Sequence, residues 1–235
     1  ILFCQHFSRR RSPGDLQRHM TMRKGKRSMS KGVLTVVSGF SGAGKGTVMK
    51  RLLEKYDDCA LSISVTTRKP REGEVDGRDY FFRTKEEVET MIEADELLEY
   101  AQYVENYYGT PRSYVEEMLS KGKNVILEIE IQGAMKIKEK IPDTVLIFVT
   151  PPTIQELKDR LVGRGTETQE VIESRLKRAS EEAEGIESYD YLLVNDVVED
   201  CVDELHEIIL SERRRASRNE EFIRTIQKES REFFN

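Results

Sequence analysis

Tryptophan is absent from this 235-residue chain, and cysteine, histidine and proline are scarce, at 3, 3 and 6 residues. Cys4, Cys59 and Cys201 are odd in number, widely scattered and in no CxxC spacing, so they suggest neither a disulfide framework nor a zinc site. A reducing cytoplasm fits such cysteines. No apolar run approaches the ~20 residues that span a bilayer, which argues against a membrane partner. Positive charge is not in excess either. Lys and Arg number 38 against 43 Asp and Glu, a formal net charge of −5, which argues against non-specific affinity for nucleic acid. No internal repeat is present. Charge of both signs is plentiful, at 34% of residues, and the length suits one α/β domain with insertions.

The basic residues cluster at the start, where Arg9, Arg10, Arg11, Arg18, Arg23, Lys24, Lys26 and Arg27 face the single acid Asp15 within residues 1–32. This stretch has no periodicity. It is read as vector-derived residues ending near His19-Met20 followed by a short native tail, with a nucleic-acid arm or an organellar presequence as the alternative. It is set aside from fold reasoning.

The rest alternates between strand and helix patterns. Strands are expected at Val33–Val37, Leu61–Val65, Asp79–Phe82, Leu97–Val104, Asn124–Ile129, Thr144–Thr150 and Tyr191–Val194. Helices are expected at Val48–Tyr56, Glu86–Glu93, 112–120, Ala134–Lys140, Ile154–Leu161 and Val171–Ala183, and residues 198–235 read as one long charged helix. Asn106-Tyr107-Tyr108-Gly109 reads as a turn into a helix whose first turn holds Pro111. Apolar strands alternating with helices imply a parallel sheet covered on both faces, with ligands at the carboxyl ends of its strands.

The run Gly39-Phe40-Ser41-Gly42-Ala43-Gly44-Lys45-Gly46-Thr47 follows the first strand directly. Glycines let backbone N–H groups converge on one anion, the next helix adds its positive end, and Lys45 reaches β/γ oxygens. The expected ligand is a nucleoside triphosphate with Mg²⁺. Gly46 intervenes where the strict pattern has Ser or Thr, so contact of Thr47 with the metal is open between direct ligation and a bridging water. Arg68 and Arg71 share a loop bounded by Pro70 and Gly73, with Tyr80 beyond, and guanidinium forks plus a phenol suit a second anion. Residues alone support a phosphate-binding α/β enzyme.

A longer resemblance covers about residues 33–210. The segment Ser62 to Phe82, which contains Ser64, Arg68, Arg71, Gly73, Asp79 and Tyr80, resembles the signature of guanylate kinases, and it follows a phosphate loop. The resemblance continues through Leu98-Glu99, Asn106 to Thr110, Leu127 to Gly133, Arg164 to Thr168 with Arg175, and Val194-Asn195-Asp196. It implies a P-loop NTPase core, a GMP-binding insertion of short strands at about 64–110 and a lid at about 163–175, with residues 211–235 a C-terminal charged helix.

It further implies that Arg68, Arg71, Tyr80 and Tyr108 hold the GMP phosphate, while Ser64, Glu99, Thr110 and Glu130 meet the base. Guanine agrees, since its N1–H and N2–H₂ donate to a carboxylate and its O6 accepts from hydroxyls. Glu130 departs from the aspartate of many relatives. Gly39, Ser41, Gly42, Ala43, Gly44, Lys45, Gly46, Thr47 and Asn195 would hold ATP, with Asn195 near the adenine. Glu128 would hold Mg²⁺ with Thr47, directly or through water, and Lys45, Arg68, Arg164 and Arg175 would serve the transfer. The implied activity is ATP plus GMP to ADP plus GDP, recycling GMP and supplying guanine nucleotides, with dGMP as a further acceptor. The rival readings are a non-catalytic protein-interaction module of the same fold and a kinase for a sugar phosphate. His6, His19 and His206 fit no motif, and the oligomeric state is open.

Overall fold

Three runs rich in Val, Ile and Leu become neighbouring parallel strands, because each is apolar on both sides and leaves no face for water. The computed structural model of the chain describes residues 31–234 apart from 104, 164, 166 and 167, so residues 1–30 and the expected lid residue Arg164 lie outside the described residues. Leu34–Gly39 (β1), Cys59–Leu61 (β2), Asn124–Glu128 (β7), Val145–Thr150 (β8) and Tyr191–Val194 (β9) form a sheet of five strands in the order β2-β7-β1-β8-β9. Every pairing in it is parallel.

Alternation along the strands divides the core. Val37, Ile126 and Ile147 face Leu52 of α1 (Lys45–Lys55), Leu157 of α5 (Ile154–Gly163) and Leu205 of α7 (Val198–Arg213). Val36, Val125, Leu127 and Leu146 face Val115 of α3 (Arg112–Ser120) and Ile137 of α4 (Ile131–Lys140) on the other side. Both layers are nearly dry, which is the main favourable term in holding such a sheet.

A second sheet is smaller. Val65–Thr66 (β3), Phe81–Phe82 (β4), Leu97–Tyr103 (β5) and Asn106–Pro111 (β6) lie in the order β4-β3-β6-β5. Val88 of α2 (Lys85–Glu93) closes its core with Val65 and Leu97. Thr84 starts α2 with a reciprocal cap, accepting from the Glu87 N–H while the Glu87 carboxylate accepts from the Thr84 N–H.

Three expectations need correction. Asn106–Gly109 is no turn: it belongs to β6, paired antiparallel to β5, with Ala101 opposite Tyr108. Gly109 serves close approach instead, since a Cβ there would lie 2.9 Å from Leu97 Cδ1 and 3.0 Å from the Glu99 carbonyl, beside a register shift in β5. Pro111 therefore caps α3 from outside its first turn. The expected strand Leu61–Val65 is split between the two sheets, because the chain crosses from one to the other at Ser62–Ser64.

The third concerns 198–235, which is two helices. Between α7 and α8 (Glu220–Phe234) lies a 3₁₀ turn, Ala216–Arg218. The Asn219 amide donates to the carbonyls of Arg213 at 3.0 Å and Arg215 at 2.8 Å, satisfying orphan groups where α7 stops. Arg218 pairs with Glu212 at 3.3 Å and with Asp143. No residue of α8 is buried, and no described helix is long and apolar enough to cross a membrane.

Glu212 anchors this junction. It is only 3% exposed and accepts from the Tyr191 hydroxyl at 2.6 Å, Arg215 at 3.2 Å and Arg218 at 3.3 Å. Burial pushes its pKa up, but these donors outweigh burial and hold it below the ordinary value. A depressed carboxylate stabilises the fold above its unfolded pKa, and that contribution fades as pH falls through the native value. Arg218→Ala is expected to lower stability by about 1–3 kcal/mol at neutral pH in urea unfolding, with a smaller difference at acid pH. Equal stability of variant and parent at neutral pH would refute this role.

Candidate active site

The phosphate loop keeps its shape because side chains are excluded from it. Gly39 sits at φ +151°, and a Cβ there would fall 2.1 Å from the Val149 carbonyl. Gly44, at φ +89°, precedes α1, and a Cβ on it would fall 2.5 Å from Asn195 Nδ2. Helix α1 has no side-chain cap and no acid in its first turn, so its positive end is left for an anion. Ser41, Gly42 and the buried Ala43 form the bend, while Gly46 and Thr47 are exposed on the first turn of α1.

Lys45 folds back over the loop, donating to the carbonyls of Gly39 at 2.7 Å and Phe40 at 3.1 Å. Burial lowers its pKa, and Glu128, Glu182 and Glu130 oppose the shift. Asn195 is 2% exposed and donates to the Ala43 carbonyl at 2.7 Å, supporting the bend from behind. Arg160 holds Asn195 in turn, donating to its carbonyl at 2.9 Å.

Glu128 ends β7 in register with Val37 of β1, beside the loop. Burial raises its pKa, and the Lys45 charge offsets part of that shift. A cation would favour its ionised form. Its carboxylate offers oxygen donors, the kind that suit Mg²⁺.

A cleft of about 160 Å³ lies between the two sheets, lined by Ser64, Asp79, Tyr80, Thr110, Glu128 and Ile129 among others. On its small-sheet side the Arg68 guanidinium is 5.3 Å from the Tyr80 ring centre and 6.0 Å from that of Phe82. Tyr108 meets Tyr80 edge-on at 6.2 Å. Arg68 is forked onto Glu74 at 2.9 and 3.0 Å, and the same carboxylate accepts from the Arg71 N–H at 2.7 Å. The Arg71 side chain is exposed. Arg68 is raised above the usual arginine range, first by Glu74, and Glu74 is lowered, first by Arg68.

Deeper in, the Thr110 hydroxyl donates to Glu99 at 2.7 Å. Burial raises the Glu99 pKa, and the Thr110 bond works against it. Glu130 lies apart from this pair, bonded at 2.8 Å to Arg178 of α6 (Gln169–Ala183), which also holds Glu182 at 3.0 Å. Arg175 is half-buried on the same helix.

The structure thus gathers the loop residues with Glu128, and Arg68 with Tyr80, Tyr108, Ser64 and the Glu99–Thr110 pair. It draws Glu130 toward α6. Sequence reasoning missed Glu74, Arg178 and the loop-supporting part of Asn195. For Arg178 a signal existed, since Glu182 stands four residues on, at ion-pair spacing for a helix.

Comparison with known proteins agrees with this geometry. A family model described as guanylate kinase matches residues 31–212. A guanylate kinase of Oceanobacillus iheyensis is 56% identical over 188 residues, 80% of this chain and 91% of the relative. One of Clostridioides difficile is 54% identical over 195 residues, 83% of this chain and 95% of the relative. Among solved structures, a guanylate kinase from Anaplasma phagocytophilum superposes with a TM-score of 0.63 at 36% identity, covering 80% of this chain and 90% of that one. With the family model spanning both sheets and every element of the cleft, this chain belongs to the guanylate kinase family.

Proposed function

We propose that the chain transfers the γ-phosphoryl group of ATP to GMP, and by the same contacts to dGMP, giving ADP and GDP or dGDP. One observation carries the reading: Thr110, whose hydroxyl is bonded to the half-buried carboxylate of Glu99, lines the same cleft as Glu128, which feels the charge of Lys45 at the start of an uncapped helix. The carboxylate accepts from guanine N1–H and N2–H₂, and hydroxyls of Ser64 or Thr110 donate to O6. Adenine would set acceptor nitrogen against the carboxylate, and an unpaired buried charge is costly, so AMP is rejected. A sugar phosphate would leave the same pair unused. A binding module has no need of Lys45 on the loop.

Arg68, Arg71, Tyr80 and Tyr108 hold the GMP phosphate. Its oxygen attacks the γ-phosphorus in line, the bond to the bridging oxygen breaks, and ADP leaves with that electron pair. Residues 39 and 41–47 bind the triphosphate, with Asn195 on the ATP side. Lys45, Arg68, Arg164 and Arg175 neutralise charge spreading over the equatorial oxygens, and closure of the segment at about 163–175 would exclude water. Glu128 with Thr47 would hold Mg²⁺ directly or through water, and the ion would supply positive charge against the negative charge of the transferring group. The reaction belongs in the cytoplasm, where its nucleotide substrates are dissolved.

Lys45→Met is expected to cut kcat by about 10²–10⁴ with little change in GMP affinity, because it removes one preorganised charge from the transfer. A coupled ADP-release assay with GMP, dGMP, AMP and ribose bisphosphate checks both this and the acceptor. Near-normal kcat would count against the mechanism.

Glu99→Gln is expected to raise the KM for GMP by about 10–100-fold, the worth of a hydrogen bond to a charged group. Because the native pKa of Glu99 is raised, its ionised form weakens folding at neutral pH. That cost is relieved as pH falls through the native value, so the variant should melt no lower than the parent at pH 7. The parent's KM for GMP should climb as pH falls through the same window. A KM unaffected by the substitution would remove Glu99 from base recognition.

A further inference from the structure

Cys59 opens β2, at the end of the central sheet opposite the phosphate loop, and it is almost fully buried. Its neighbour Asp58 presents Oδ1 at 3.7 Å from Cys59 Sγ and at 3.0 Å from Nε2 of His206, which projects from α7. The three donor atoms lie within 4.8 Å of one another. We propose that Asp58, Cys59 and His206 bind a thiophilic divalent cation of the zinc type, which ties α7 to β2.

The spacing suits the ion. Tetrahedral zinc, with sulfur at about 2.3 Å and nitrogen or oxygen at about 2.0–2.1 Å, sets neighbouring ligand atoms roughly 3.3–3.6 Å apart, within small side-chain rotations of the separations here. The surroundings orient the ligands. Asn124, fully buried, donates to Asp58 Oδ2 at 3.0 Å and leaves Oδ1 turned to the site. The Tyr56 ring stacks on His206 with centres 3.6 Å apart and planes at 11°, while its hydroxyl is held by Asp203 at 2.7 Å.

Charge and access agree. A dication displaces the thiol proton to water and takes a neutral imidazole, leaving a site with no net charge from carboxylate, thiolate and metal. The Asp58 side chain is 32% exposed, which leaves room for a water as fourth ligand. Sulfur and nitrogen donors select zinc-like ions over Mg²⁺. Asp58 and His206 are 148 positions apart, so no spacing motif could reveal the site.

The test is titration of the reduced, chelator-treated full chain with Co²⁺. One equivalent should produce sulfur-to-cobalt charge-transfer absorption, and Zn²⁺ should abolish it. The band should persist in the C4S/C201A double variant, where Cys59 is the only cysteine left, and vanish in H206Q and C59S. Excess Zn²⁺ at a hundred times Kd should raise Tm by about 5–10 °C in the parent and not in H206Q. Circular dichroism confirms that each variant is folded, and the double variant decides sulfur ligation even if C59S does not fold. Absence of the band in the folded parent, its loss in C4S/C201A, or its survival in H206Q would overturn the site.

Discussion

Everything at the phosphate loop depends on the positive end of α1 carrying neither a side-chain cap nor a first-turn acid. Loop carbonyls, a side-chain cap or a first-turn acid would each neutralise it, and the chain supplies neither cap nor acid there. That vacancy is maintained by crowding. Gly39 is wedged against Val149 of β8, Gly42 against Leu161 of α5 and Gly44 against Asn195, so the loop has no space for side chains at these positions. The helix end is therefore aimed by the packing of the sheet and its covering helices, and core stability and anion binding rest on the same contacts.

The two sheets divide the remaining work. The parallel sheet, dry on both faces, fixes the loop and Glu128 at the carboxyl ends of adjacent strands. The small sheet has a thin core of Val65, Val88 and Leu97, and it and its loops carry the polar groups Arg68, Tyr80, Tyr108 and Thr110. A chain that crosses between sheets at Ser62–Ser64 lets one side of the cleft be rigid while the other is lightly packed.

How much was legible in the residues depends on range. The loop was legible because its glycines and lysine are contiguous and follow an apolar strand. The long strands were legible because burial on two faces leaves little room for polar residues. Asn106–Gly109 misled because Asn and Gly usually mark turns, whereas here Gly109 answers a close approach by β5 that only the folded sheet creates. The break before α8 contains neither Pro nor Gly in Arg213 to Asn219; Asn219 satisfies carbonyls of the turn just before it, while Arg218 reaches Asp143, 75 positions away, which only tertiary structure brings near. Glu130 is legible only by motif position, and its partner Arg178 lies 48 positions away on another helix. Contacts between distant segments leave no local imprint.

The fork between Arg68 and Glu74 has a consequence for any anion that enters there. The guanidinium is already stripped of much of its water and held beside two aromatic rings by its bonds to Glu74, so an arriving group finds it oriented rather than roaming. That newcomer must trade places with, or sit alongside, a resident carboxylate. A singly charged visitor would gain little from such an exchange, whereas a doubly charged phosphate monoester would gain more.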